Sequence, residues 1–171
     1  MTATQEAAFF RWFRDSKIVD TKGNPLVVYH GTNAEFDVFD FHVGIGAPVP
    51  DSVYFTDSLD LAAYVSNMSW GKPGIVIAAY LRIENPLVLD AKGRHAIRMT
   101  DEVLRNLRPN YASDAYDGVI LLNVREFQQD DLTTTYAVFK PTQVKAVEAA
   151  SFDGNDPNFR HNPRRRRKST A

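Results

Sequence analysis

The sequence predicts a single-domain α+β protein. Strand-like runs outnumber helical ones, and the two do not alternate as they would in a doubly wound parallel sheet. A chain of 171 residues with 44% hydrophobic and 24% charged content can bury about 70% of its unfolded surface in one core. There is no cysteine, and a core of this size needs neither a disulfide nor a metal staple.

Each element has a local cause. Thr2-Ala3-Thr4-Gln5 has the Thr-x-x-Gln form of a capping box, and Phe9, Phe10, Trp12 and Phe13 then recur at helical spacing up to Ser16, which predicts a first helix with an aromatic face. Lys22-Gly23-Asn24-Pro25 signals a turn, after which Leu26 to His30 predicts a buried strand. Gly44 to Pro50 is a loop by composition, and Val53 to Thr56 a short strand. Asp57 or Ser58 caps a helix over Leu59 to Ser66, with Leu61 and Val65 on one face. Gly71-Lys72-Pro73-Gly74 breaks the chain before the long β-like run Ile75 to Ile83, followed by Leu87-Val88-Leu89. Thr100 caps a helix to Leu107, closed by Pro109. Gly118 to Leu122, Tyr136 to Phe139 and Val144 to Val147 predict three more strands. No internal repeat occurs. Residues 1–150 are expected to form the domain, and 151–171 an extended tail with a basic end.

The net charge of −1 is unevenly spread, because Arg164-Arg165-Arg166-Arg167-Lys168 gathers five of the twenty basic residues at one end. The rest of the chain is acidic and unsuited to broad phosphate-backbone binding, whereas the run could meet nucleic acid or another acidic surface. A run of like charge also suits a solvated, disordered tail. No apolar stretch approaches the roughly 20 residues that span a bilayer, and the first residues lack the basic start and apolar core of a signal peptide, so a cytoplasmic protein is expected. Neither Gly-x-Gly-x-x-Gly before a helix nor a P-loop is present. The four histidines lack zinc-protease spacing, so no metal is expected. A cysteine nucleophile and a Gly-x-Ser-x-Gly elbow are also missing.

What remains is Tyr29-His30-Gly31-Thr32 at the end of an apolar strand, followed by Tyr54-Phe55-Thr56-Asp57. A strand ending in His-Gly brings an imidazole and main chain without a Cβ to one spot, which suits a planar, amide-bearing ligand. Outside this context, His30 would be a hydrogen-bonded structural histidine, and Tyr54 and Tyr64 ordinary core aromatics.

Val28-Tyr29-His30-Gly31-Thr32, Tyr54-Phe55-Thr56-Asp57, Leu61-Ala62-Ala63-Tyr64 and Tyr136-Ala137-Val138-Phe139, in this order and spacing, resemble the His-Tyr-Glu clade of ADP-ribosyltransferases. That clade holds the diphtheria-toxin-like enzymes and the poly(ADP-ribose) polymerases. The chain is most similar to the ADP-ribosyltransferase domain of phage polyvalent proteins, over roughly Phe9 to Phe159. The resemblance implies two packed, mainly antiparallel sheets around an NAD-binding cleft. It implies NAD as substrate and a macromolecular acceptor, protein, RNA or DNA, for a single ADP-ribose. By the same resemblance, Gly31 pairs its main chain with the nicotinamide carboxamide, and Tyr54 and Tyr64 enclose the cationic ring, with Phe55 completing the aromatic pair. His30 holds a ribose hydroxyl, with Thr32 beside it.

The pattern departs at two positions. The family places Glu before the aromatic of the late strand, and Thr135 stands there, so the catalytic candidates are His30, Tyr54, Thr135 and the nearest carboxylate of suitable reach, Glu126, with Gln128, Gln129 and Gln143 as polar alternatives. Ser52 stands where a Gly often precedes the Tyr-Phe pair. The alternatives to a transferase are a catalytically silent NAD-binding module and a nucleic-acid-binding accessory protein acting through its basic tail.

Overall fold

The structure is a computed structural model, and residues 1–41, 49, 51–68, 73–107, 115–127 and 131–160 are described. Helix α1 spans Ala3–Phe13. Its capping box forms: Thr2 Oγ1 accepts from the Gln5 N–H at 3.2 Å and Gln5 Oε1 accepts from the Thr2 N–H at 2.8 Å. The helix lays Phe9, Trp12 and Phe13 against Tyr80, Ala149 and Phe152, and the Trp12 indole donates to the Thr142 carbonyl at 3.0 Å. Removing each of these large side chains from water contributes about 1.5–3 kcal/mol, so packing rather than propensity fixes the helix.

Strands β1 (Val28–Thr32), β2 (Val53–Thr56), β3 (Ile75–Leu81), β4 (Pro86–Asp90), β5 (Gly118–Val124), β6 (Thr133–Val138) and β7 (Val144–Ala146) form one sheet in the order β4-β5-β6-β2-β1-β3-β7. Every neighbouring pair is antiparallel except β4–β5. The α+β class is as the sequence predicts. Its two sheets are halves of one continuous sheet, β4-β5-β6-β2 and β1-β3-β7, joined where β1 and β2 register through Tyr29↔Thr56. At this seam Asp57 continues the contact with β6, its Oδ1 accepting from the Thr134 N–H at 2.9 Å.

Alternation along the strands sends successive side chains to opposite faces. Val28, Val53, Phe55, Ile77, Tyr136 and Val138 enter one core cluster with Phe39 and Phe159. Val119, Leu121 and Ala137 enter a second, with Leu87, Met99 and Val103. The second face carries helix α2 (Leu59–Ser66), N-capped by Ser58, and helix α3 (Thr100–Leu107), which continues a short 3-10 helix, Ala96–Met99. Strand β6 begins three residues ahead of Tyr136, because Thr133 to Thr135 are β-branched and pair with β2 and β5.

Residues 151–160 lie against the body, although the sequence reads them as the start of a tail. Phe159 is fully buried, its carbonyl accepts from the Ala146 N–H at 2.8 Å, and its N–H donates to Asp37 O at 3.0 Å. Lys145 is also fully buried and donates to the carbonyls of Asp156 at 2.7 Å and Asn158 at 3.1 Å. The 44–46 loop, Gln128, Gln129 and the basic run 164–168 fall outside the described residues. Among the described residues no helix is long and apolar enough to cross a membrane.

Candidate active site

The register sets out the floor of the site. Tyr29 pairs with Thr56, Thr56 with Thr135, and Thr135 with Leu121, so these residues form one row across four central strands. With about 4.8 Å between strands, Thr135 lies about 10 Å from Tyr29. Tyr29, Gly31, Tyr54, Thr56 and Thr135 share one face by alternation. Helix α2 covers this face over β1, and the 3-10 helix with α3 covers it over β4 and β5. Thr56 and Thr135 lie between the two covers.

Gly31 is required by this cover. A Cβ built on it would lie 2.0 Å from the Ala62 carbonyl oxygen and 2.9 Å from the Ser66 nitrogen, so only a glycine lets α2 approach β1 so closely. Gly74 meets Ser66 in the same way, a Cβ there falling 2.2 Å from its hydroxyl. The missing Cβ of Gly31 therefore serves helix packing, while its main-chain edge carries the peptide groups.

His30 points to the opposite face. Its ring meets Phe39 edge-on at 5.2 Å and Phe55 at 5.4 Å, and it touches Tyr54 through that residue's backbone, Nδ1 lying 2.7 Å from the carbonyl oxygen. A carbonyl only accepts, so Nδ1 carries the proton and Nε2 keeps its lone pair. Burial holds the imidazole below its ordinary pKa, leaving a neutral ring with one acceptor. Among the described residues Nε2 has no hydrogen-bond partner, so it can accept from a hydroxyl.

The Tyr54 ring packs with the second core cluster. Its hydroxyl accepts from the Val49 N–H at 2.5 Å and lies 3.2 Å from the Val49 carbonyl, and burial pushes its pKa up to about 12. Ser52 is buried and donates to the same carbonyl at 2.7 Å, which gives the serine a role at the turn into β2. Thr32 Oγ1 accepts from the Ala34 N–H at 3.2 Å. Gln143 uses its whole amide on Phe139, Lys140, Arg82 and Asp117, so it is a structural clamp away from the row.

Thr135 is buried, and its hydroxyl has no hydrogen bond among the described residues. Glu126 has both oxygens engaged: Oε2 lies 2.6 Å from His95 Nε2, and Oε1 accepts from the Ala96 N–H at 3.1 Å. His95 Nδ1 accepts from the Ile97 N–H at 3.3 Å, so Nε2 carries the proton given to Glu126. Burial raises the Glu126 pKa, and His95 and the Ala96 N–H oppose that rise. The next residue, Phe127, stands edge-on to His95 at 5.5 Å and against Tyr64 at 5.1 Å. Tyr64 lines a surface hollow with Ala63, Asn67 and Met68.

The structure thus brings Gly31, Tyr54, Thr135 and α2 with Tyr64 to one face, and His30 with Phe55 to the other. Sequence reasoning did not single out His95 or Phe127. Phe127 adjoins Glu126, which was a usable signal; nothing local ties His95 to it. Among the described residues no group of three or more metal-ligating side chains occurs. The family described as ADP-ribosyltransferase in polyvalent proteins matches residues 20–157. No curated protein and no solved structure matches the chain.

Proposed function

Because the chain belongs to the ADP-ribosyltransferases of polyvalent proteins, we propose that it is an NAD-dependent mono-ADP-ribosyltransferase. NAD is the substrate, and a protein or nucleic acid is the acceptor. The bond between nicotinamide and ribose breaks, its electron pair leaves with the nicotinamide, and an oxocarbenium-like ribosyl centre is captured by an acceptor nucleophile that loses its proton to solvent.

In this reading NAD lies across the short β1–β2 seam, which registers through Tyr29↔Thr56: His30 Nε2 accepts a ribose hydroxyl on one face, while on the other the Gly31 main chain meets the carboxamide and the rings of Tyr54 and Tyr64 bear on the cationic ring. Thr135 offers a hydroxyl to the ribose and no negative charge, so the rate is expected to be low for the class. The observation that supports the reading is the Tyr29–Thr56–Thr135 row, in which Thr135, standing where the family likeness expects Glu, is paired with β2. Transfer of a single ADP-ribose follows from the missing carboxylate.

A silent NAD-binding module is the second reading, favoured by the uncharged Thr135 and by the engagement of both Glu126 oxygens. Incubation with labelled NAD and a cell lysate tests both. The transferase reading expects label transfer and nicotinamide release that His30→Ala abolishes and Thr135→Glu increases. Retained NAD binding with no release by the wild type or by Thr135→Glu would select the silent module.

A further inference from the structure

We propose that Phe127 is a specificity-determining residue of the NAD site: its ring and that of Tyr64 form an aromatic corner that prefers the cationic nicotinamide ring to the neutral, reduced one. The inference rests on the NAD reading above.

The two centroids are 5.1 Å apart and the planes meet at 50°, so the rings form an angled notch. Both keep free surface, Tyr64 being 51% and Phe127 39% exposed. Tyr64 comes from α2, above β1, and Phe127 from the end of β5. The corner therefore spans the interval in which β2 and β6 carry Thr56 and Thr135.

Phe127 is also held against a backbone preference. Its φ is +51°, a left-handed conformation that a bulky residue keeps only when its surroundings enforce it. The enforcing contacts are those of the preceding residue: Glu126 is tied to His95 at 2.6 Å and to the Ala96 N–H at 3.1 Å, and the His95 ring braces Phe127 at 5.5 Å. Glu126 and His95 are therefore positioning residues for the aromatic corner. A positive ring set against two aromatic faces gains cation–π attraction that a dihydronicotinamide, which carries no charge, does not.

Calorimetric titration of the full chain with NAD and with NADH tests this. The wild type should bind NAD more tightly than NADH. Phe127→Leu should weaken NAD about tenfold and change NADH by less than about twofold, as loss of one such contact predicts. Phe127→Tyr should restore the preference, and Glu126→Gln should erode it. Equal weakening of both nucleotides by Phe127→Leu, an unchanged NAD affinity, or a loss in Phe127→Tyr as large as in Phe127→Leu would overturn the inference while leaving NAD as a ligand. A wild type that binds neither nucleotide would overturn the NAD reading and this inference together.

Discussion

Gly31→Ala is the sharpest test of how the strand end is built. The new Cβ would fall 2.0 Å from the Ala62 carbonyl oxygen, well inside the ordinary contact distance of 3.4 Å, with Ser66 N at 2.9 Å and Ala62 C at 3.0 Å. All three atoms are backbone of α2, so no rotamer change relieves the clash and the helix itself must move by more than about 1 Å. Overpacking of this kind costs about 1–3 kcal/mol, and a rigid backbone neighbour argues for the upper end. For a chain of this length about 3 kcal/mol lowers Tm by about 6–12 °C. Thermal unfolding followed by circular dichroism reads the shift directly. Gly93→Ala is the control, since nothing lies within 4 Å of its Cβ and only its φ of +77° opposes the substitution; its cost should stay near 1–2 kcal/mol. Adding Ala62→Gly to Gly31→Ala should rescue nothing, because the obstacle is the carbonyl and not the methyl. A Tm for Gly31→Ala within about 2 °C of the wild type, or rescue by Ala62→Gly, would refute the packing argument.

Three further outcomes follow from named contacts. Burial holds the His30 pKa below its ordinary value of 6.5, so the unfolded chain takes up that proton first, and stability should fall as pH drops from 6.5 through the folded value. His30→Gln should flatten the fall in Tm measured from pH 8 to 5, and an unchanged slope would show that His30 is not the group responsible. Tyr54→Phe removes the partner of the Val49 N–H and should cost about 1–3 kcal/mol in urea unfolding; a loss below about 0.5 kcal/mol would mean that water replaces the hydroxyl. Lys145→Met removes both donors to the Asp156 and Asn158 carbonyls, so limited proteolysis should reach residues 151–160 sooner than in the wild type. Equal cleavage rates would argue that Phe152 and Phe159 hold the segment without Lys145.

Much of the secondary structure was legible because its causes are local. The Thr2–Gln5 box and the break at Lys22-Gly23-Asn24-Pro25 each depend on residues a few positions apart and stand where the sequence placed them, and of the two caps it offered for α2, Asp57 and Ser58, the helix uses Ser58. The strand ends were less legible. The Thr133–Thr135 run is polar and carries no apolar alternation, yet pairing with β2 and β5 makes it strand. The 3-10 turn at Ala96–Met99, capped by His95, has no periodic signal of its own. Residues 151–160 looked like a tail because they are mostly polar, yet two aromatics, Phe152 against α1 and Phe159 in a distant core, anchor them.

The sequence by itself determined the α+β class, the helix caps and the residues that carry the family likeness, since propensity, capping and motif order are short-range or linear properties. Tertiary structure alone decided how those residues are used. It turned His30 toward Phe39 and Phe55 while Tyr54 and Thr135 face the other way, because strand alternation acts only once the register is fixed. It gave the bare Cα of Gly31 to α2, and it joined Glu126 to His95 just beyond the ends of the paired strands β4 and β5. Packing partners far apart in the chain cannot be read from either segment alone, because each contact depends on the path of the whole sheet between them.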